Sequence, residues 1–188
     1  MIDTTTIKKY YLRYWVDQSQ AARKAAEELA MKEVRPSLRD LHKNDINQDL
    51  VFTLDGYRVE FKGENEENPK DPEYNFFTYE EAIERFGEPD EDGWRLPTKE
   101  EFKALIGSGP YDFKDGQGVF DNRLCLPAMG YRTQNNYSRK QGEWGCYLTT
   151  TPYGINSIWE LYFDSKGAIL TFYDKKEANS IRLVREVK

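Results

Sequence analysis

A chain of 188 residues with 38% hydrophobic and 14% aromatic residues is long enough to bury a core without staples. Its single histidine, His42, and two cysteines, Cys125 and Cys146, are too few soft ligands for an N/S metal cluster. The net charge of −6 is uneven: residues 1–44 carry nine Lys/Arg against six acids, 45–93 four against sixteen and 94–188 fourteen against eleven, and so acidic a middle third excludes nucleic acid as the main partner.

In chain order, residues 7–33, "IKKYYLRYWVDQSQAARKAAEELAMKE", hold no Gly or Pro and predict a long helix ended by Pro36. Tyr11, Trp15, Ala22, Ala26 and Leu29 form a narrow stripe along it, suited to its own domain, a second copy or a larger partner. Residues 49–64, "DLVFTLDGYRVEFKGE", alternate on both sides of Asp55-Gly56, with Val51 and Thr53 before the turn and Tyr57, Val59 and Phe61 after it. That pattern predicts a hairpin with a type I′ turn. Residues 64–75 are acidic, contain Pro69 and Pro72, lack EF-hand spacing and predict an exposed loop.

"TYEEAIERFG" from Thr78 and "TKEEFKALIG" from Thr98 share one grammar: a Thr-x-x-Glu capping box, apolar residues at helical spacing and a closing Gly. They predict two short helices around "EPDEDGWRLP". Past residue 107 Gly-rich turns alternate with β-prone runs, and "SIWELYFDSKGAILTFYDK" predicts a second hairpin turning over Asp164-Ser165-Lys166-Gly167. Nothing marks the chain as secreted, so the cysteines are read as two buried free thiols, with a disulfide between them as the alternative should their strands lie side by side. The N-terminus has no apolar signal region and no run of membrane-spanning length; the expectation is a chain made in the cytosol that stays there or leaves inside a larger particle.

"GWRLPTKEEF" (93–102) resembles the signature of C-type-lectin-like folds in the branch shared by formylglycine-generating enzymes and Fibrobacter major-paralogous-domain proteins. "LPAMGYR" (126–132), Tyr-Leu-Thr-Thr-Thr (147–151) and "SIRLVREV" (180–187) follow in that family's order. The resemblance implies an α+β fold: a C-type-lectin-like domain over 49–188, two short helices plus twisted antiparallel strands, preceded by a long N-terminal helix and linker over 1–48. Within it Trp94 and Leu96 would point inward, and Pro97 would fix the chain before Thr98, whose box closes on Glu101. Arg95 would tie the turn to carbonyls or to an acid.

Enzymes of that branch hold copper with a close cysteine pair near the C-terminus. Here Cys125 and Cys146 are far apart in sequence and no cysteine follows, so the expectation is a non-catalytic member with no cofactor and no metal. No Gly-x-Ser-x-Gly or P-loop occurs, and His42 lies in the linker. Glu88-Pro89-Asp90 resembles the sugar-binding tripeptide of true C-type lectins, but it precedes "GWRLP" and reads as a helix exit and turn.

What remains is a binding or structural module. Its expected ligand surface is Asn135, Asn136, Tyr137, Arg139, Trp144, Tyr147, Tyr153 and Asn156, since Tyr and Asn supply adaptable contacts. The expected partner is a protein or glycan on a cell surface. Tyr11, Trp15, Ala22 and Leu29 would join other structural proteins or build a homo-oligomer. The expected setting is a phage virion, with the chain a fibre, decoration or receptor-binding protein. A bacterial cell-surface or exported binding protein is the alternative, and an intracellular scaffold the third reading.

Overall fold

Alternating apolar residues set the first pairing. In the computed structural model, which describes residues 46–54 and 56–187, β1 (Val51–Leu54) and β2 (Tyr57–Phe61) pair antiparallel with Leu54 opposite Tyr57. The expected phase holds for Val59 and Phe61 of β2, and Val51 is buried too, but Phe52 and Leu54 join them from β1. Phe52, Leu54, Val59 and Phe61 are buried, while Thr53 and Tyr57 are exposed. Phe52 and Leu54 have more apolar surface to hide than Val51 and Thr53, so they take the inner face, with Phe52 opposite Val59.

β3 (Phe77–Thr78) leads into α1 (Tyr79–Phe86), and α2 (Lys99–Gly107) follows the "GWRLP" turn. Both capping boxes form, Thr78 with Glu81 and Thr98 with Glu101. Glu101 does more than cap. It is fully buried and takes two hydrogen bonds from Arg95, at 2.9 and 2.7 Å, while the Thr98 N–H donates to the same carboxylate at 2.7 Å. One side chain thus closes a helix end and neutralises the arginine, an arrangement in which neither charge is left bare. Asp90 Oδ1 accepts from the N–H groups of Asp92 and Trp94, so Glu88-Pro89-Asp90 is a helix exit and turn.

Leu96 is buried, as the resemblance implied, and so is Pro97, but Trp94 is only half-buried, with the Arg185 guanidinium 4.5 Å from its ring centre. Trp94→Ala is therefore expected to cost about 2 kcal/mol, below a full core truncation, in urea unfolding.

The acidic stretch after β2 is the expected loop, with Glu64, Glu67, Pro69, Lys70, Pro72 and Glu73 exposed, but it is anchored at two residues. Asn68 and Asp71 are buried; Asp71 pairs with Arg132 at 2.7 Å and accepts from the Phe76 N–H at 3.1 Å. Asn65 accepts from Arg182, which is 1% exposed and also donates to the carbonyls of Lys62 (2.7 Å) and Cys125 (3.3 Å). The loop's polar atoms are what allow that arginine to be buried.

The remaining strands are β4 (Tyr111–Lys114), β5 (Gln117–Phe120), β6 (Leu124–Pro127), β7 (Tyr131–Arg132), β8 (Ser138–Arg139), β9 (Gly145–Tyr153), β10 (Ser157–Asp164), β11 (Gly167–Asp174), β12 (Ala178–Asn179) and β13 (Val184–Val187). They assemble into four small antiparallel sheets of order β1-β2-β13, β11-β10-β9, β3-β12-β7-β8 and β4-β5-β6. The second hairpin forms as expected, with Asp164 opposite Gly167.

The expected α+β, lectin-like class is overturned by this balance. Strand takes 43% and helix 14% of the described residues, so the architecture is mostly β. The capped segments supply two turns each and stop at Gly87 and Ser108, whereas almost every β-prone run finds a pairing partner. The predicted N-terminal helix and its stripe Tyr11, Trp15, Ala22 and Leu29 lie outside the described residues. A first core gathers Phe52, Phe61, Phe102, Leu105, Phe120, Tyr147, Leu161 and Phe163; a second gathers Phe77, Ala82, Leu96, Leu148, Ile158, Ile181 and Leu183.

Candidate functional site

The sheet β9-β10-β11 contributes to both cores, because alternation sends one set of side chains to each face. On one face Phe163 and Leu161 lie opposite Ala168 and Leu170 under α2. Trp159 and Phe172 continue that row, directly opposite each other, where the sheet runs past the start of α2. There the Lys99 N–H donates to Thr151 Oγ1 at 2.9 Å, and the Lys99 ammonium sits 3.7 Å from the Trp159 ring centre. A bulge between Ile158 and Glu160 leaves the Trp159 carbonyl to the Thr149 hydroxyl, which donates to it at 2.6 Å.

Tyr153, at the end of β9, completes an aromatic cluster. Its ring stacks on Phe172 at 4.2 Å and meets Trp159 edge-on at 5.1 Å. Phe172 is 49% and Tyr153 44% exposed, and Ile155, in the turn between β9 and β10, is 90% exposed. Lys175 holds that turn: its ammonium donates to the Ile155 carbonyl at 3.0 Å and its N–H to the Asn156 carbonyl at 3.0 Å. The result is an apolar patch on a fixed turn with lysines at its edge.

The opposite face of the sheet is different. Ile158, Glu160 and Tyr162 lie opposite Tyr173, Thr171 and Ile169. Glu160 is 1% exposed, and its Oε2 accepts from Asn179 Nδ2 at 2.8 Å. Burial, and next to it the Glu177 carboxylate, pushes Glu160 up to about 8. Burial and then Asp174 push Glu177 up to about 7. Burial, with Glu160 and Glu177 adding to it, also pushes up the Cys146 thiol. Beside them runs a chain of rings: Tyr173 against Tyr131 at 5.5 Å, Tyr131 on Trp144 at 6.1 Å, and Trp144 against Tyr162 at 5.4 Å.

The residues expected to form one ligand surface fall in four places. Tyr153 joins the exposed patch, with Asn156 in the adjoining turn. Asn135, Asn136, Tyr137 and Arg139 lie on the β7–β8 hairpin; Tyr137 is 63% exposed, with the Arg139 guanidinium 5.7 Å from its ring centre. Trp144 belongs to the ring chain. Tyr147 is a correction: it is fully buried, donates to the Pro127 carbonyl at 2.8 Å, accepts from Asn65 at 2.9 Å and stacks on Phe163.

Ile155, Trp159, Phe172, Glu160, Glu177 and Asn179 were missed. The Trp159–Phe172 pair was within reach, since a two-residue turn after Asp164 fixes the register of both strands. Both cysteines are free, Cys146 buried and Cys125 exposed.

A family model described as a domain of unknown function (DUF8237) matches residues 120–184, a span that contains both faces of this sheet. No curated protein and no solved structure matches the chain.

Proposed function

We propose that the chain is a non-catalytic binding module that docks a protein partner on Tyr153, Ile155, Trp159 and Phe172. The observation that carries this reading is the clustering of three mutually packed rings with a 90%-exposed isoleucine on one held turn. Large apolar side chains are rarely left together in water unless something covers them, and aromatic anchors of this kind carry most of the energy of protein interfaces. A protein surface suits the patch better than a glycan does. Sugar rings stack on free aromatic faces, whereas Tyr153 and Phe172 cover one another and Lys99 lies on Trp159. The lysines at the edge favour a partner with an acidic rim. The virion setting rests on the sequence resemblance alone and is tested by mass spectrometry of purified virions.

The patch is tested with Ile155→Asp, expected to leave unfolding within about 0.5 kcal/mol of the natural chain, as exposed substitutions do, and with Phe172→Asp, expected to stay folded while losing about 1–2 kcal/mol with its two ring contacts. A photo-crosslinker at position 155 should capture one protein, and that protein, purified, should bind the natural chain at least about tenfold more tightly than either variant. Tyr137→Ala, on the other hairpin, should bind normally. Equal binding by natural chain and both Asp variants, or retention of glycans that Phe172→Asp does not weaken, overturns the reading. If the captured partner is a second copy, light scattering will show an oligomer that Phe172→Asp dissolves.

A further inference from the structure

The opposite face of the same sheet, which the docking patch does not use, carries an arrangement of polar groups that the fold does not satisfy. Glu177 Oε2 and Asn179 Oδ1 are buried and have no hydrogen-bond partner among the described residues. Asn179 is 1% exposed, and its amide points into the carboxyl cluster, donating to Glu160 at 2.8 Å. Buried acceptors left without donors cost free energy, and among the described residues no other buried side-chain polar atom is left so.

The charges around them make the deficit larger. On β10 the facing acid is Glu160, and the charge that acts on it is Glu177. The charge that acts on Glu177 is Asp174, at the end of β11. From β9 comes the Cys146 thiol, and from β11 and β7 the hydrogen-bonded hydroxyls of Tyr173 and Tyr131. The nearest arginine in sequence register, Arg132 opposite Ala178, gives its guanidinium to Asp71 at 2.7 Å. Among the described residues no Lys or Arg donates to the side chains of Glu160, Glu177 or Asn179, and a donor carrying positive charge would complete the corner.

The surroundings narrow the kind of cation. Two carboxyls and one amide oxygen are too few for a calcium ion, which takes six to eight oxygens, and among the described residues no group of His, Cys, Asp and Glu could hold a metal. Three acceptor groups match the three N–H donors of an ammonium. Tyr131, Trp144, Tyr162 and Tyr173 are half-buried beside these groups, and their rings suit a cation, as Lys140 shows with its ammonium 5.2 Å from the Trp144 ring centre; exposed Ile169 lies opposite Tyr162 and offers an alkyl contact.

We propose that Glu160, Glu177 and Asn179, with the rings of Tyr131 and Tyr173, form a binding site for a primary alkylammonium group. The ammonium donates to Glu177 Oε2, Asn179 Oδ1 and the Glu160 carboxylate, and its alkyl chain leaves along the ring chain.

The test is a titration of the full chain with n-butylammonium chloride, followed by the NMR signal of the Asn179 side-chain amide. A saturable shift is expected. Affinity should rise at least about tenfold between about pH 5.5 and about pH 8.5, because the carboxyls must lose their protons to accept the ammonium. Glu177→Gln should weaken binding at least about tenfold. Tetramethylammonium, which has no N–H, should bind the natural chain at least about tenfold more weakly than butylammonium, a comparison that holds whether or not the variant folds. Spermidine and Nα-acetyl-lysine methylamide then distinguish a polyamine from a protein lysine as the source. No response of the Asn179 amide, equal binding by Glu177→Gln, or equal binding of the two ammonium ions each overturns the proposal.

Discussion

Replacing Gly145 by Ala is expected to destabilise the protein by about 3 kcal/mol or more, the upper end of what overpacking costs. Gly145 opens β9 directly opposite Phe163 of β10, and a methyl group there would overlap the Phe163 ring itself. The ring has nowhere to go. On its other side a Cβ on Gly118 would already lie 2.8 Å from its carbons, so the phenyl group occupies a slot cut by two glycines. Phe120 at 5.7 Å, Tyr147 at 5.9 Å and Tyr111 at 6.3 Å close the rest of that slot, and Phe163 is fully buried. The backbone of β9 cannot yield either, since Gly145 also bridges Gly130 and the strand is paired along β10. Phe163→Leu alone should cost about 1–2 kcal/mol. In the double variant Gly145→Ala, Phe163→Leu the two costs should not add, because the smaller side chain removes the overlap; a double-mutant cycle by urea unfolding reads the difference. Additive costs, or a Gly145→Ala protein within about 0.5 kcal/mol of the natural one, would mean that the slot is not filled as described.

Local signals were legible in the sequence, and long-range ones were not. Thr78 with Glu81 and Thr98 with Glu101 interact three residues apart, so the capping boxes could be read directly. The 158–173 hairpin was equally plain, because two β-prone runs flank the short turn Asp164-Ser165-Lys166-Gly167. Glu160 and Arg182 behave differently. An acid or an arginine within a strand pattern reads as a solvent-facing position, and only partners far along the chain, Asn179 for one and Lys62, Asn65 and Cys125 for the other, make burial tolerable. Tyr147 was placed on a surface for the same reason, its hydroxyl being satisfied by Pro127 and Asn65. β3, β7, β8 and β12 have two residues each, too short for any period to show, and misjudging them contributed to reading a mostly β fold as α+β. The candidate patch was half visible: Tyr153 stood out by composition, whereas Trp159 and Phe172 looked like continuations of the core row they extend.

Stability should fall as pH rises from about 5 to about 8, and Glu160→Gln should flatten that fall. The sign follows from where the proton is held. In the unfolded chain Glu160 has an ordinary carboxyl pKa of about 4.3, while in the folded protein burial and Glu177 raise it to about 8. Between those values the folded state keeps a proton that the unfolded state has released, so raising the pH draws the protein toward the unfolded state. Below the lower value both states are protonated and nothing is lost; above the upper value the loss is complete. One proton held over that window changes stability by up to about 1.4 kcal/mol per pH unit, giving a total on the order of 2–4 kcal/mol once relaxation around Glu160 is allowed for. Glu177, raised to about 7, acts in the same direction over a narrower window. Asp164 acts in the opposite direction: the Lys166 N–H first of all holds its carboxylate below the usual range, so its contribution is present above the ordinary aspartate value and disappears at lower pH. Glu160→Gln keeps an acceptor for Asn179 while removing the titration, so the variant should match the natural chain near pH 4.5 and exceed it by a few kcal/mol near pH 8 in urea unfolding. Parallel stability profiles for the two proteins would show that Glu160 ionises normally and that this face of the sheet is open to water.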